Sequence, residues 1–190
     1  MSHLLNYQIR LLLTVDFLVL VAGALVIPFY SVYVEKIGGS ILDAGLAASV
    51  FAVVAGLTSI IAGMYSDRIK AKPMVVVAGY ALIGIGFLAY LAVTDVWSLM
   101  IVQGFIGLST AFYQPAYDVI YTHFVGNGRR ATTRWALWES ANYFSLAVGA
   151  VIGGGIVQYL GFTTLFIVMA GLSWLAAIFL YIHLKSLRFE

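Results

Sequence analysis

The sequence contains no cysteine, which excludes disulfide bonds and metal sites built on thiolates. Charge is also scarce, because Asp, Glu, Lys and Arg make up only 9% of the residues, against about 25% in an average soluble domain. No phosphate-binding Walker loop, Ser-His-Asp arrangement or His/Glu cluster with metal-ligand spacing is present. We therefore expect no enzyme activity, no cofactor, no bound metal and no nucleic-acid partner.

Apolar residues dominate instead, at 63% of the chain, and the mean hydropathy is +1.01. A soluble fold of 190 residues has too much surface to hide this apolar area, so the surrounding solvent is predicted to be lipid. Each apolar run is long enough to cross about 30 Å of hydrocarbon as a helix. These predicted transmembrane helices cover residues 11–34, 44–65, 74–94, 97–121, 135–159 and 163–184.

The basic residues alternate between the two sides of this predicted bundle. All Lys and Arg except Lys36 fall on one side of the bundle. That side carries both termini, the charged island after the second run (residues 63–73) and the loop at 126–130. The positive-inside rule makes that side cytoplasmic. We expect an integral protein of the plasma (inner) membrane, with the lipid bilayer as its surroundings and both termini in the cytoplasm.

A faint internal repeat divides the chain at about residue 95. A Pro-x-Tyr triplet begins at Pro28 near the outer end of the first run, and another begins at Pro115 toward the inner end of the fourth. Paired proline interruptions at mirrored depths are typical of inverted repeats around a transport site. The sequence predicts an all-α membrane protein in one domain, 1–190, with three-helix repeats at about 1–94 and 95–190.

Three carboxylates lie inside predicted spans, where a charge usually faces a bundle interior or a wet cavity. Asp16 lies deepest in its predicted span, so we predict it as a proton-coupling residue. Asp118 and Glu139 are further candidates. For these two, the alternative is ion pairing with arginines in a cytoplasmic charge layer, to which Arg130, Arg134 and His123 are assigned.

Polar and aromatic residues recur at helical spacing on the fourth and fifth runs. Such groups in hydrocarbon need either a partner on another helix or an aqueous path, and both interpretations remain open. The candidates for a substrate path are Tyr113, Gln114, Tyr117, Trp138, Asn142 and Ser145.

The island between the second and third runs carries a recognisable motif. It resembles the loop G-x-L-[AS]-D-R-x-G-R-[RK]-P of the major facilitator superfamily, with departures at Tyr65, Lys70 and Ala71. Similarity to the N-terminal six-helix half of that family extends across the chain. The positions that match the motif are Gly63, Ser66, Asp67, Arg68, Lys72 and Pro73.

The resemblance implies secondary active transport of a small organic solute by alternating access, linked to protons or other ions. It also implies that Gly63, Asp67, Arg68 and Lys72 form a conformational latch between two halves. Met100 replaces an Arg that is frequent in proton-linked exporters, and the stretch from Gly149 lacks the proline of the exporter signature. Because the family normally has twelve helices, we expect a homodimer of half-transporters. The alternatives are an isolated N-terminal half that requires a C-terminal half, or a non-transporting scaffold or binding subunit.

Overall fold

The computed structural model describes residues 6–66 and 71–187, apart from the side chain of Ser66, and every regular element in these ranges is helical. The six α-helices are α1 (Tyr7–Ala24), α2 (Tyr30–Lys36), α3 (Ile41–Ser66), α4 (Lys72–Ala89), α5 (Val96–Val125) and α6 (Ala131–Ile182). Short 3-10 turns cover Ile27–Phe29, Tyr90–Ala92 and Leu184–Leu187. The prediction of an all-α protein is thus confirmed for the described residues.

Five helical stretches in these ranges are long and apolar enough to cross a membrane, where the sequence predicts six runs. The first stretch joins α1 and α2 through the turn that contains Pro28. Proline has no backbone N–H and cannot continue the α-helical hydrogen bonds, so the first span is interrupted there. The predicted runs 135–159 and 163–184 lie together in α6, which is 52 residues long.

Helix α6 nevertheless has two arms, because Gly161 leaves helical geometry with φ 81° and ψ 175°. Just after this residue, the rings of Phe162 and Phe166 lie 5.2 and 4.9 Å from the ring of Tyr33. At the end of the second arm, the ring of His183 lies 6.4 Å from that of Tyr7, where α1 begins. The second arm (162–182) therefore returns along the bundle and ends beside the start of α1.

The first arm of α6 (131–160) packs against α1 at glycines. A Cβ at Gly149 would lie 2.5 Å from the Cβ of Ala24, and one at Gly153 would overlap the carbonyl oxygen of Leu25. Helix α5 meets α3 in the same way, since a Cβ at Gly107 would lie 2.6 Å from the carbonyl oxygen of Phe51. Close approach at small residues stabilises helix pairs where lipid provides no hydrophobic driving force.

A capping box defines the start of α5. The Ser98 amide donates to the Asp95 carboxylate at 2.8 Å, and the Ser98 hydroxyl accepts from the Asp95 amide at 3.1 Å. The hydrogen bond from the Ser98 amide holds the pKa of Asp95 below its ordinary value. Because the cap fixes where α5 begins, it also fixes the depth at which the polar residues of α5 lie in the bundle.

Candidate functional site

Asp16 lies in the middle of the bundle with 3% of its surface exposed. Its Oδ1 accepts a hydrogen bond from the Tyr80 hydroxyl of α4 at 3.1 Å, and its Oδ2 accepts one from Nε1 of Trp138 of α6 at 2.9 Å. Both carboxylate oxygens are thus bonded to aromatic side chains. The bonds join α1 to two helices that are distant in the sequence.

Helix α5 closes the site with stacked tyrosines. The buried Tyr117 donates from its hydroxyl to the carbonyl oxygen of Leu12 at 3.3 Å, and its ring stacks on Tyr121 at 5.9 Å. Tyr113, one turn earlier, meets the ring of Tyr80 edge-on at 4.9 Å. These contacts make an aromatic environment for Asp16, in which the hydroxyl and indole hydrogens supply the polar contacts.

A cavity of about 540 Å³ adjoins this site and lies among α1, α3, α4, α5 and the first arm of α6. Tyr113 belongs to both, because its ring lines the cavity and contacts Tyr80. Asn142 also lines the cavity, and its Nδ2 donates to the carbonyl oxygen of Trp138 at 3.1 Å. The ring contact of Tyr113 and the hydrogen bond of Asn142 therefore link the cavity wall to Tyr80 and Trp138. These are the two side chains that donate hydrogen bonds to Asp16.

The cavity wall is mainly aliphatic and aromatic, with a few polar groups. Nε2 of Gln103 donates to the hydroxyl of Tyr30 at 2.6 Å, and Tyr30 directly follows the proline-containing turn of the first span. The Ser145 hydroxyl donates to the carbonyl oxygen of Asn142 at 2.7 Å. Thr110 adds a further hydroxyl. An apolar pocket with few polar groups suits a small organic molecule that carries few hydrogen-bonding atoms.

The structure separates the three predicted carboxylates. Only Asp16 is buried in the bundle. Asp118 is half-buried and accepts a hydrogen bond from Nε2 of Gln114 at 3.2 Å. Glu139 is exposed although it follows Trp138 directly, because successive residues of a helix point in different directions. Glu139 does not join the hydrogen bonds around Asp16.

The predicted path residues also divide into two groups. Tyr113, Asn142 and Ser145 line the cavity. The other three lie outside its lining, and each has a specific hydrogen-bond acceptor: Gln114 bonds Asp118, Tyr117 bonds Leu12 and Trp138 bonds Asp16. The assignment of all six residues to a substrate path stays a prediction.

The predicted charge layer lies where α5 ends and α6 begins. Nη1 of Arg134 donates to the carbonyl oxygens of Phe124 and Val125 at 3.3 and 2.8 Å, which joins the two helices. Arg130 is the N-terminal capping position of α6, and the exposed ring of His123 contacts that of Phe124 at 5.1 Å.

Of the predicted latch, Gly63 lies in α3 and Lys72 begins α4, whereas Asp67 and Arg68 lie outside the described residues. The described part of the chain contains no group of three His, Cys, Asp or Glu side chains able to hold a metal ion.

The sequence analysis missed the roles of three residues. Tyr80 bonds Asp16, and Tyr30 and Gln103 form the polar pair of the cavity. A signal for Tyr80 exists, because a phenol in the middle of an apolar span needs a hydrogen-bond partner. The sequence does not say which partner, since Tyr80 and Asp16 are 64 residues apart.

Comparison with known proteins gives consistent matches. A sequence profile of the Major Facilitator Superfamily matches residues 12–187. The multi-drug resistance efflux pump PmrA of Streptococcus pneumoniae is 32% identical, over 90% of this chain and 43% of the pump. An uncharacterised MFS-type transporter of Methanocaldococcus jannaschii is 28% identical, over 86% of this chain and 42% of that protein. The multidrug resistance protein MdtH of Yersinia pestis is 27% identical, over 76% and 36%.

The chain thus spans less than half the length of the relatives that it matches. The family profile, in contrast, matches nearly the whole of the described helical bundle, including Asp16 and the residues that line the cavity. This chain belongs to the major facilitator superfamily.

Proposed function

We propose that the chain is part of a secondary active transporter that moves a small, mainly apolar organic solute across the membrane by alternating access, coupled to a proton carried by Asp16. One observation carries the proposal: a cavity of about 540 Å³ shares its wall with the aromatic site that holds a buried carboxylate. A solute and a proton then bind at adjacent positions, which is the arrangement that coupled transport needs.

The cavity chemistry supports a lipophilic solute with a few polar atoms. The polar groups of its wall are neutral amides and hydroxyls, while most of its area comes from aliphatic and aromatic side chains. Gln103 and Tyr30 are bonded to each other at 2.6 Å, and a solute with a hydrogen-bonding group competes for that bond. Two similar proteins bear names that describe multidrug efflux or resistance, which agrees with this chemistry.

The position of Asp16 supports a proton role. A charged carboxylate at mid-membrane costs about 2.5–3.5 kcal/mol on insertion scales, so a buried one needs a structural or functional reason. Here the charge is held by two hydrogen bonds from aromatic groups. Loss of that charge on protonation changes the hydrogen bonding around Asp16, and both of its donors connect to the cavity wall.

We also propose six spans in two inverted repeats, about 1–94 and 95–190, with both termini in the cytoplasm. The two arms of α6 supply the fifth and sixth spans. The packing agrees with the repeat, because α1 meets the first arm of α6 at glycine in the same manner as α3 meets α5. The arginines at 129, 130 and 134 lie at the end of the bundle that the charge distribution makes cytoplasmic.

A second bundle is proposed to complete the path, either as another copy of this chain or as a C-terminal half. Helix α3 has large apolar side chains exposed along its length, among them Val53, Leu57 and Ile60 at 61, 61 and 66%. The latch motif needs a partner bundle to act on. The particle mass in lipid nanodiscs tests the homodimer: twice 20.6 kDa supports it, and a single copy contradicts it.

Binding of a lipophilic fluorescent dye tests the cavity. Ethidium is titrated against the full chain in nanodiscs, and binding is followed by fluorescence anisotropy. We expect Ala48→Trp to weaken binding, because Ala48 lines the cavity and a bulky side chain there fills it. The control is Ile178→Trp on the second arm of α6, since Ile178 is 57% exposed and does not line the cavity. Equal affinity in both variants contradicts the proposed site.

A further inference from the structure

The two hydrogen bonds to Asp16 differ in one chemical respect. The indole N–H of Trp138 can only donate, so its partner Oδ2 must remain an acceptor. The hydroxyl of Tyr80 can donate or accept, so its partner Oδ1 can be an acceptor or a donor. When Asp16 is a carboxylate, both contacts are satisfied with the oxygens accepting.

When Asp16 is protonated, its two oxygens are no longer equivalent. A neutral carboxyl group carries its hydrogen on one oxygen. A hydrogen on Oδ2 would face the Trp138 N–H, which is 2.9 Å away and has no lone pair to accept it. A hydrogen on Oδ1 faces the Tyr80 oxygen at 3.1 Å, which has lone pairs. Of these two arrangements, only the second keeps the contacts to Tyr80 and Trp138 both hydrogen-bonded, and a buried unsatisfied donor costs about 1–3 kcal/mol. The Tyr117 hydroxyl also faces Asp16, and it donates to the carbonyl oxygen of Leu12.

We propose that the proton of Asp16 resides on Oδ1 and that Tyr80 is the positioning residue that accepts its hydrogen bond. This inference rests on the proposed proton role of Asp16. On protonation one proton joins the carboxylate, and Oδ1–H donates to the Tyr80 oxygen. The Tyr80 O–H turns away from Asp16 toward the neighbouring phenols of Tyr113 and Tyr117, whose oxygens can accept it, and the Tyr80 phenol is neutral before and after. Trp138 continues to donate to Oδ2.

The consequence for the cavity follows from the ring contacts. Tyr80 is packed edge-on against Tyr113, which lines the cavity, so a change at the Tyr80 hydroxyl acts beside the cavity wall. Trp138, whose carbonyl oxygen accepts from Asn142, keeps the same bond to Asp16 in both states and serves as the fixed side of the site. Among the described residues, further titratable groups that face Asp16 come from α5 and include Tyr113, Tyr117, Tyr121 and Asp118.

Infrared difference spectroscopy across a pH titration tests this assignment on the full chain in nanodiscs. Asp16→Asn identifies the carboxylic-acid C=O band of Asp16, and ring-labelled tyrosine identifies the phenol bands. We expect a tyrosine C–O band to change with the same pH midpoint as the Asp16 band, and to disappear in Tyr80→Phe. The indole N–H band of Trp138 stays constant. In Tyr80→Phe we expect the acid C=O band to shift to higher wavenumber, because its O–H loses its acceptor.

The control is Tyr33→Phe, which removes another buried tyrosine hydroxyl, one that donates to the carbonyl oxygen of Tyr90 at 3.1 Å. We expect no effect on the Asp16 band. An Asp16 band that titrates with the Trp138 indole band, and without a tyrosine change, overturns the role of Tyr80 while leaving the proton role intact. If no Asp16 band appears at any pH, both proposals fail. Ring-labelled tyrosine incorporated at position 80 alone assigns the Tyr80 phenol band without a substitution, so the role of Tyr80 is decided even where Tyr80→Phe folds poorly.

Discussion

Asp16 shows how a single carboxylate is accommodated inside an apolar bundle. The burial cost is reduced by two hydrogen bonds of 3.1 and 2.9 Å, and each comes from a side chain whose apolar part fills the surrounding space. Tyrosine and tryptophan suit this position, because each presents a large apolar ring and one polar hydrogen. The same residues that stabilise the charge therefore also form the packed interior.

At the residue scale, glycine determines where α1 and α6 can meet. We expect Gly153→Ala to destabilise the protein by about 1–3 kcal/mol, because the added Cβ overlaps the backbone of Leu25 and the helices must separate. The measurement is the free energy of unfolding in detergent micelles.

Gly155→Ala is the matched control, two residues along the same helix. A Cβ at Gly155 has no neighbouring atom within 4 Å, so this substitution is expected to be neutral or to stabilise by up to about 1 kcal/mol through helix propensity. Equal destabilisation by the two substitutions contradicts the packing described for α1 and α6.

At the element scale, α6 depends on one residue to change direction. Gly161 has φ 81° and ψ 175°, a backbone conformation that is almost confined to glycine. We expect Gly161→Ala to cost about 1–3 kcal/mol of unfolding free energy, since alanine is strained there. Gly171 is the control, because it is a helical position in the second arm where an added Cβ meets open space. We expect Gly171→Ala to cause no loss of unfolding free energy. A Gly161→Ala protein as stable as the unmodified chain contradicts the turn at this residue.

The elements also show how far the sequence could predict the structure. The long apolar runs and the islands of charge identify the helices, because lipid requires internally bonded segments. The place of the turn between the two arms of α6 was predictable, since the predicted runs end at 159 and begin again at 163, on either side of Gly161. Its form was not, because only the backbone angles show that the change of direction takes place at Gly161. The interruption at Pro28 agrees with the loss of a backbone donor at proline. The paired interruption expected at Pro115 is not found, because Pro115 lies inside the uninterrupted helix α5.

The candidate site was predictable only in part, for a related reason. Composition and depth are enough to select Asp16 as an unusual carboxylate. They do not identify Tyr80 and Trp138 as its donors, since these lie 64 and 122 residues away and meet it only through the packing of three helices. Likewise, Trp138 and Glu139 are neighbours in sequence but point to different surroundings. An error of one residue in the predicted orientation of the helix exchanges which of them faces Asp16.

At the scale of the whole molecule, the bundle brings an apolar cavity and a buried carboxylate together. The cavity lies among helices from both proposed repeats, and Asp16 is bonded from both as well, by Tyr80 of the first and Trp138 of the second. A proton on Asp16 and a molecule in the cavity would therefore act on neighbouring side chains of the same interior. Such a shared boundary lets proton binding and solute binding favour different conformations.

The most direct test is ethidium flux into proteoliposomes that contain the full chain, driven by an imposed pH gradient. We predict flux above that of protein-free liposomes for the unmodified chain. In Asp16→Asn we expect flux at the protein-free level, because the asparagine side chain does not bind and release a proton in the pH range of the gradient. Glu35→Gln, which removes an exposed carboxylate at the end of α2, is the control and should retain flux. Flux in Asp16→Asn equal to that of the unmodified chain contradicts the proton role of Asp16, and no flux with the unmodified chain contradicts the homodimer of half-transporters.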